Sequence, residues 1–336
     1  MGSRNIACRK GMLPLFSVLS LLLSNVIIML AGIAKTSQEC LITSEWNANI
    51  LIDKKTVLIT GANAGMGKAA AIALAKAGMS VIMLCRSPQR GEKALQEVKE
   101  QSGSQDVSLV LCDLSDMADI QRFCVAFKEK HPVLDVLINN AGVLSFERQE
   151  TKDGLELHFG ICHVGHFLLT MSLLSCMGPS SRIVMVGSVA HKVGRIDFGD
   201  LDMKSHYSVV RAYSRAKLCN LLFTKELAKR LAGTGITVNC VHPGAVVTNI
   251  GARRASGKDG NFALRRAAGK LLGFMVRTPE KGAATAIYVS TNDALKNITG
   301  AYFANCKIAK PGKWAEDPKL AQKLWDVTEE LTKAFR

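Results

Sequence analysis

The sequence predicts an α/β fold in which one doubly wound parallel sheet forms a single domain. From residue 54 onward, short apolar runs of strand length alternate with longer segments of helical periodicity. Neither a linker nor an internal repeat divides the stretch 54–336. Strands that alternate with helices in this way pair in parallel, because each crossover helix returns the chain to the same end of the sheet.

The composition of the chain limits the classes of function that are expected. The chain has 336 residues, 48% of them hydrophobic, and a net charge of +15. Its basic residues are not interleaved with aromatic residues as a base-stacking surface requires, so nucleic acid is not expected as a partner. The ten cysteines form no CxxC pair and no zinc-like cluster with histidine. We therefore expect no metal site, and buried free thiols in a reducing compartment.

The N-terminus is expected to anchor the protein in a membrane. Residues 13–34 form a stretch of 22 residues without a charge, between a basic flank at 1–12 and a linker at 35–53. That length spans a bilayer. A cleaved signal peptide is the alternative, although its hydrophobic region is usually shorter. Cations on both sides of the span leave the topology open, and Asn297 begins a glycosylation sequon that matters only if the domain is lumenal.

The first predicted strand, 55–60, runs into a glycine-rich turn and then into a helix that reaches about residue 77. Glycines at such a turn let the backbone approach a pyrophosphate, whose charge lies at the helix N-terminus. Strand, glycine turn and helix in this order predict the dinucleotide site of a Rossmann fold. The candidate residues of the turn are Gly61, Asn63, Gly65, Met66 and Gly67.

The second predicted strand, 80–84, is followed by Arg86 and Ser87, about 20 residues after the glycine turn. A carboxylate at this point binds the ribose hydroxyls of NAD, and none is present. Arg86 can instead pair with a 2′-phosphate, with Asn63 and Ser87 as helpers, which predicts NADP(H) as the cofactor. The alternative is that Arg86 simply ends a strand in solvent.

The alternation continues along the rest of the chain. Strands are predicted at 108–112, 133–138, 182–186, 237–241 and 301–305, and helices at 116–130, 154–177, around Tyr213 and at 279–290. Polar or glycine-rich residues follow several of these strands: Asp113 and Leu114, Asn139 to Gly142, Ser188, and Pro243 with Gly244. Sheets of this class bind their ligands outside the carboxyl ends of the strands.

Tyr213 and Lys217 form the candidate catalytic pair. A helix places residues four apart on one face. A tyrosine hydroxyl is a poor acid or base at neutral pH unless a nearby cation favours its anion, and Lys217 is such a cation. Chance can supply the pattern Tyr-x3-Lys, so the prediction depends on the cofactor site and the serine found elsewhere in the chain.

With these motifs in this order, the chain resembles the short-chain dehydrogenase/reductase family over about residues 54–330. Finer features resemble the retinol dehydrogenase branch of types 11 to 14, with type 13 or 14 nearest. They are the runs 153–154, 158–160, 165–170 and 222–228, the 25-residue gap from Ser188 to Tyr213, and the membrane-length N-terminus.

The resemblance implies an NADP(H)-dependent oxidoreductase that interconverts a lipophilic alcohol and its aldehyde or ketone, with retinol and retinal the first candidates. Tyr213 would be the acid or base and would contact the substrate. Lys217 would favour the tyrosine anion and hold the nicotinamide ribose. Ser188 would donate a hydrogen bond to the substrate oxygen. A steroid or lipid-aldehyde reductase of the same family is an alternative.

The resemblance also implies the residues that hold the cofactor. Asp113 would meet the adenine, and Thr248 the carboxamide. The full set is Gly61, Asn63, Gly65, Met66, Gly67, Arg86, Ser87, Asp113, Leu114, Asn140, Ala141, Gly142, Tyr213, Lys217, Pro243, Gly244 and Thr248.

Cys162 departs from the family pattern. It stands where the family has an asparagine that is thought to bend its helix and to hold a water that relays protons to the lysine. A thiol is a weak donor and acceptor and would hold that water poorly. Either a neighbouring polar group holds the water instead, or the chain is a catalytically weakened nucleotide-binding scaffold. The nearby His163 and His166 lack a third metal ligand and are expected to be packed histidines.

Residues 250–278 form a basic amphipathic segment after the sixth strand. We expect a flap whose apolar side covers the substrate and whose cations meet membrane lipid, with an ordinary surface helix as the alternative. A flap beside a membrane suits a substrate dissolved in lipid, such as a retinoid, a sterol-like ketone or a long-chain aldehyde. The expected location is the endoplasmic reticulum membrane, with a mitochondrial membrane as the alternative, and the sequence is compatible with a homodimer.

Overall fold

The computed structural model describes residues 55–244 and 277–336. The predicted anchor at 13–34 with its flanks, and Thr248, lie outside these residues. So does the predicted flap at 250–278, except for its last two residues.

One sheet of eight strands lies in the described part of the chain, in the spatial order β3-β2-β1-β4-β5-β6-β7-β8. The first seven strands pair in parallel, so the predicted parallel sheet is confirmed. The strands are β1 (Thr56–Thr60), β2 (Ser80–Cys85), β3 (Val107–Leu111), β4 (Val136–Asn139), β5 (Arg182–Val186), β6 (Thr237–His242), β7 (Tyr302–Ala304) and β8 (Lys307–Ile308).

β8 departs from the purely parallel sheet that the sequence predicts. It pairs antiparallel with β7. The two residues between these strands, Asn305 and Cys306, have φ of +53° and +58°, as a tight hairpin turn requires. A strand of two residues is too short for hydrophobic alternation to predict.

Helices cover both faces of the sheet, as the doubly wound class requires. The core on one face is built with α1, α2 and α6, and the core on the other face with α3, α4, α5 and α7. The helices are α1 (Gly65–Lys76), α2 (Pro88–Ser102), α3 (Met117–Lys130), α4 (Leu157–Cys176), α5 (Val209–Arg230), α6 (Pro279–Thr291) and α7 (Pro318–Thr332).

Two of these helices, α2 and α7, lie where no element is predicted. Both begin with proline at the first position after a capping side chain. The Ser87 hydroxyl accepts a hydrogen bond from the Arg90 amide at 3.4 Å, and the Asp317 carboxylate accepts one from the Lys319 amide at 2.9 Å. Ser-Pro and Asp-Pro are therefore the local signals that could have predicted both helices.

α4 differs from the uninterrupted helix predicted at 154–177. It begins at Leu157, widens into a π-helical turn at Gly160–Val164 and resumes as α-helix at Gly165–Leu173. Among the described helices, it alone is long and apolar enough to cross a membrane, but 78% of its most apolar window is buried inside the protein. α4 is therefore a core helix, and its π turn contains Cys162.

The strand order reverses between β1 and β4, which lie side by side although two strands separate them in the sequence. At such a reversal the crossover helices leave in opposite directions and a crevice opens outside the carboxyl ends of the strands. An open cleft lies at this place and is lined mostly by residues that follow β1 to β4.

Candidate active site

The glycine turn after β1 brings the backbone of α1 close to the turn after β4. Gly61 has a φ of +66°, and a Cβ built on it would lie 3.0 Å from the Cα of Ala141. A Cβ built on Gly67 would lie 2.5 Å from both Asn140 Nδ2 and the carbonyl oxygen of Gly61. A side chain at either position would push α1 away from the cleft.

The N-terminus of α1 is suited to bind an anion. The residue before it, Ala64, supplies no capping side chain, and the first turn holds no acidic residue. The first amide N–H groups of a helix have no partner within the helix, and they carry its positive end. They are therefore available to phosphate oxygens in the cleft.

Most of the predicted cofactor residues line this one cleft. They are Gly61, Asn63, Gly65, Met66, Gly67, Arg86, Asp113, Leu114, Asn140, Ala141 and Gly142. Ser87 does not line it, because its hydroxyl caps α2. Arg90, which has no counterpart in the predicted set, lines the cleft beside Arg86. With its amide oxygen turned toward the guanidinium, Asn63 accepts from Arg90 Nε at 3.2 Å and Nη2 at 3.1 Å.

A buried network holds the turn after β4 in place. The Thr60 hydroxyl oxygen accepts from the amides of Asn140 and Ala141, both at 2.8 Å, and lies 2.9 Å from His166 Nε2. His166 Nδ1 lies 3.0 Å from the carbonyl oxygen of Cys162 in the π turn. A carbonyl oxygen can only accept, so Nδ1 carries the proton and Nε2 accepts from Thr60. This network was not predicted, because its members lie on three separate elements.

His163 and His166 are core histidines, as expected. Both are fully buried, and burial lowers the pKa of His166 to about 4 and that of His163 to about 3. His163 Nε2 lies 2.9 Å from the Thr328 hydroxyl on α7. Both rings are therefore neutral at physiological pH, and their hydrogen bonds connect α4 to the neighbouring elements.

Asp113 anchors its own turn after β3. Its carboxylate accepts from the amide of Ser115 at 3.0 Å and from the Ser115 hydroxyl at 2.7 Å. The turn is thus fixed with Asp113 and Leu114 at the cleft wall.

Ser188 and the side chain of Lys217 lie at the carboxyl end of β5, and Tyr213 lies one turn before Lys217 on α5. Ser188 directly precedes a short 3-10 turn at Val189–Val193, and its hydroxyl oxygen accepts from the Ala190 amide at 3.2 Å. The hydroxyl group can still donate its own proton to another acceptor. Tyr213 and Lys217 share one face of α5, with Lys217 Nζ 5.7 Å from the centre of the Tyr213 ring. A tyrosine hydroxyl beside a lysine can exchange a proton with a substrate oxygen, and a serine hydroxyl can donate a hydrogen bond to the same oxygen.

Lys217 is held rather than free. Only 4% of it is exposed, and its Nζ donates to the carbonyl oxygen of Val186 at 2.9 Å. A Cβ built on Gly142 would lie 4.0 Å from Lys217 Nζ and 3.9 Å from Cys162 Sγ. The ammonium group and the thiol therefore both lie beside Gly142, which lines the cleft. Burial raises the pKa of the Cys162 thiol, so the sulfur is neutral.

A buried charge network supports the helix that holds this pair. Glu156 and Arg215 are almost fully buried, and Arg215 Nη2 donates to Glu156 Oε2 at 2.9 Å. Burial alone would raise the pKa of the Glu156 carboxyl, but hydrogen bonds from the side chain and amide of His158 and from the amide of Phe159 hold it below its ordinary value. His158 Nε2 in turn accepts from the Ser145 amide at 3.1 Å. The network thus joins α5, the start of α4 and the loop after β4.

Pro243 and Gly244 follow β6, and Gly244 has a φ of +83°. They end the described stretch on this side of the site. Thr248, predicted to meet the carboxamide, lies outside the described residues.

Comparison with known families settles what kind of protein has this arrangement. The family model described as short chain dehydrogenase matches residues 55–259, more than half of the chain. The chain belongs to the short-chain dehydrogenase family. It is therefore an oxidoreductase of a family that binds a nicotinamide cofactor.

The relatives of this short-chain dehydrogenase confirm the predicted branch, since retinol dehydrogenases 11 to 14 match it at 37–42% identity. Retinol dehydrogenase 14 of Mus musculus is 42% identical over 83% of this chain and 86% of its own length. Retinol dehydrogenase 11 of Homo sapiens is 37% identical over 94% of this chain and 97% of its own.

The fold is also that of solved structures. An uncharacterized protein from Mycobacterium paratuberculosis is 32% identical, with a TM-score of 0.66 over 83% of this chain and 93% of its own.

Proposed function

We propose that this short-chain dehydrogenase is an NADP(H)-dependent enzyme that interconverts a lipophilic alcohol and its aldehyde or ketone, with retinol and retinal as its substrate pair. The observation that carries the proposal is the placement of Tyr213 and Lys217. They share one helix face, and Lys217 donates to the carbonyl oxygen of Val186 beside Gly142, one of the residues that line the cleft.

In the proposed reaction, the nicotinamide supplies the hydride for reduction when it is bound. Tyr213 gives its hydroxyl proton to the carbonyl oxygen of the substrate, and Ser188 donates a hydrogen bond to the same oxygen. Lys217 stabilises the tyrosine anion that remains, and it then helps to return a proton to Tyr213. For oxidation of an alcohol the proton moves in the opposite direction.

The arrangement of the cleft supports a dinucleotide that carries an extra phosphate. The uncapped N-terminus of α1 suits the pyrophosphate, and Asp113 at the end of β3 suits the adenine. Arg86, which follows β2, and Arg90, in the first turn of α2, line the cleft with guanidinium groups, which match phosphate geometry. The remaining roles, with Pro243, Gly244 and Thr248 near the nicotinamide, follow the family pattern.

The cofactor preference can be tested at Arg86. We expect Arg86→Asp to raise the KM for NADPH about 10- to 100-fold, because a charge-assisted hydrogen bond to the 2′-phosphate is lost, and to make NADH the better cofactor. The measurement is initial rates with both cofactors. Lys319→Asp is the matched control, because it makes the same charge change on an exposed residue of α7. If Arg86→Asp kept the wild-type preference for NADPH over NADH, Arg86 would not be part of the cofactor site.

Apolar residues support a lipophilic substrate. Leu144, Leu157 and Ile161 line the cleft beyond Gly142. Phe146 in the loop after β4 and Val210 in the first turn of α5 are 65% and 49% exposed. Large apolar side chains exposed around a site are typical of a surface that meets apolar ligands or lipid. The relatives named retinol dehydrogenases favour a retinoid among such ligands.

A membrane location completes the proposal. The 22 uncharged residues at 13–34 would anchor the chain, and the basic segment 250–278 would lie against lipid head groups. The endoplasmic reticulum is the proposed membrane, and a homodimer is compatible with it. A substrate dissolved in that membrane would reach the site without crossing water.

The decisive experiment is a substrate panel with the full chain in detergent or lipid vesicles. We expect NADPH-dependent loss of all-trans-retinal, and slower turnover of steroid ketones and long-chain aldehydes. A clear preference for a steroid ketone or a lipid aldehyde would replace retinal as substrate and keep the reaction class. No turnover of any carbonyl or alcohol with either cofactor would instead favour a nucleotide-binding scaffold.

A further inference from the structure

His191 is a buried histidine three residues after Ser188, and backbone groups contact both of its ring nitrogens. It lies in the short 3-10 turn Val189–Val193 and is 1% exposed. Its Nδ1 lies 2.6 Å from the carbonyl oxygen of Ser188, and its Nε2 accepts from the amide of Gly312 at 2.9 Å. An amide N–H only donates and a carbonyl oxygen only accepts, so Nδ1 carries the proton. Burial also lowers the pKa of His191, so the ring is neutral at physiological pH.

This ring holds the backbone of the candidate catalytic serine. The carbonyl oxygen of Ser188 accepts twice from His191, from the ring at 2.6 Å and from the backbone amide at 3.2 Å. On the other side of Ser188, the amide of Gly187 donates to the carbonyl oxygen of Val241 on β6 at 2.8 Å. The Ser188 hydroxyl thus extends from a backbone that β6 holds on one side and His191 on the other. Its direction depends on both contacts.

Elements distant in the sequence hold the ring of His191 in one orientation. Tyr302 on β7 packs edge-on against it, with the ring centres 4.9 Å apart. Gly312 lies in the loop between β8 and α7, 121 residues further along the chain. A Cβ built on Gly312 would lie 2.9 Å from the Cα of Lys192, so the loop can approach the turn only because position 312 has no side chain. The C-terminal part of the chain therefore contacts the serine turn through this ring.

We propose that His191 is a positioning residue that directs the Ser188 hydroxyl toward the substrate oxygen, and that the loop at Gly312 supports its ring. The proposal rests on the proposed oxidoreductase function, in which Ser188 donates a hydrogen bond to that oxygen. The N–H at Nδ1 holds Ser188, and the acceptor at Nε2 keeps the ring in the tautomer that places the proton on Nδ1. His191 acts through Ser188 and need not touch the substrate or the cofactor.

Two amide variants test the two ring nitrogens separately. In His191→Asn the amide nitrogen can replace Nδ1 and donate to Ser188, whereas in His191→Gln the longer side chain can replace Nε2 and accept from Gly312. We expect kcat for retinal reduction to fall about 10- to 100-fold in His191→Gln, because a misplaced hydroxyl holds the substrate poorly, and less than about threefold in His191→Asn. The KM for NADPH should change little, because Ser188 does not line the cofactor cleft. His131→Gln, between α3 and β4 at the opposite end of the sheet, is the matched control.

A double-mutant cycle distinguishes positioning of Ser188 from a purely structural role. If His191 acts through Ser188, His191→Gln should lower kcat less than about twofold once Ser188→Ala has removed the hydroxyl. An equal loss of kcat from His191→Gln in the two backgrounds would mean that His191 only stabilises the fold, and would overturn the proposal.

Crystal structures of the full chain with NADP⁺ test the proposal without turnover. We expect the Ser188 hydroxyl oxygen to move by about 1 Å relative to Tyr213 in His191→Gln, and to keep its place in His191→Asn. Gly312→Ala, which pushes the loop away from the turn, should also displace it and serves if His191→Gln does not fold. A hydroxyl that keeps its place in both His191→Gln and Gly312→Ala overturns the proposal. This result stands whether or not the enzyme reduces retinal, so it separates the proposal from the proposed function.

Discussion

Tyr213→Phe is expected to lower kcat/KM for NADPH-dependent reduction of retinal about 10³-fold, which corresponds to about 4 kcal/mol of activation free energy. The change removes only the hydroxyl group that donates the proton. Lys217 keeps its hydrogen bond to the carbonyl oxygen of Val186, and the ring keeps its packing on α5. The affinity for NADPH, measured by fluorescence titration, should therefore change little.

Tyr288→Phe is the matched control for this variant. Tyr288 lies on α6 and packs against the core on the opposite face of the sheet, so it loses the same oxygen far from the cleft. We expect its activity to stay within about twofold of the wild-type value. If Tyr213→Phe retained as much activity as Tyr288→Phe, Tyr213 would not be the acid, and the assignment of the site would fail with it.

Local patterns in the sequence are sufficient to predict the elements that position the site. The glycine turn can be predicted because a tight backbone approach leaves few alternatives to glycine: Gly67 has no room for a Cβ, and Gly61 has a φ of +66° and a close approach to Ala141. The parallel sheet follows from alternating strand and helix periods, which repeat over the whole domain. The Tyr213 and Lys217 pair follows from the helical repeat alone, since four residues return to the same face.

Contacts between distant elements could not be predicted in this way. Arg90 lines the cleft from the first turn of α2, whose start is set by the cap at Ser87, and no local pattern specifies that this turn faces the cleft. Thr60 and His166 meet across 106 residues of sequence, and nothing in either local pattern specifies the contact. Such features depend on tertiary packing, which a local period does not encode.

Arg215→Met is expected to lower the free energy of unfolding by about 3–5 kcal/mol, because it leaves the Glu156 carboxylate buried without its cation. Glu156 is fully buried, and Arg215 Nη2 donates to it at 2.9 Å. Arg215 also donates to the carbonyl oxygen of Leu201 and lies over the Phe159 ring, 5.3 Å from its centre. Methionine fills much of the volume but supplies neither the charge nor the donors. Guanidinium unfolding of the full chain in detergent measures the change.

Two further variants separate the buried charge from other effects of the substitution. Arg122→Met removes an exposed partner of Asp119 on α3, and it should change stability by no more than about 1 kcal/mol. Arg215→Lys keeps the charge but loses the planar fork, so it should recover only part of the loss. If Arg215→Met were as stable as the wild-type protein, the cost of burying the Arg215 guanidinium would equal its attraction to Glu156. The network would then orient α5 and the loop at Ser145 without stabilising the fold.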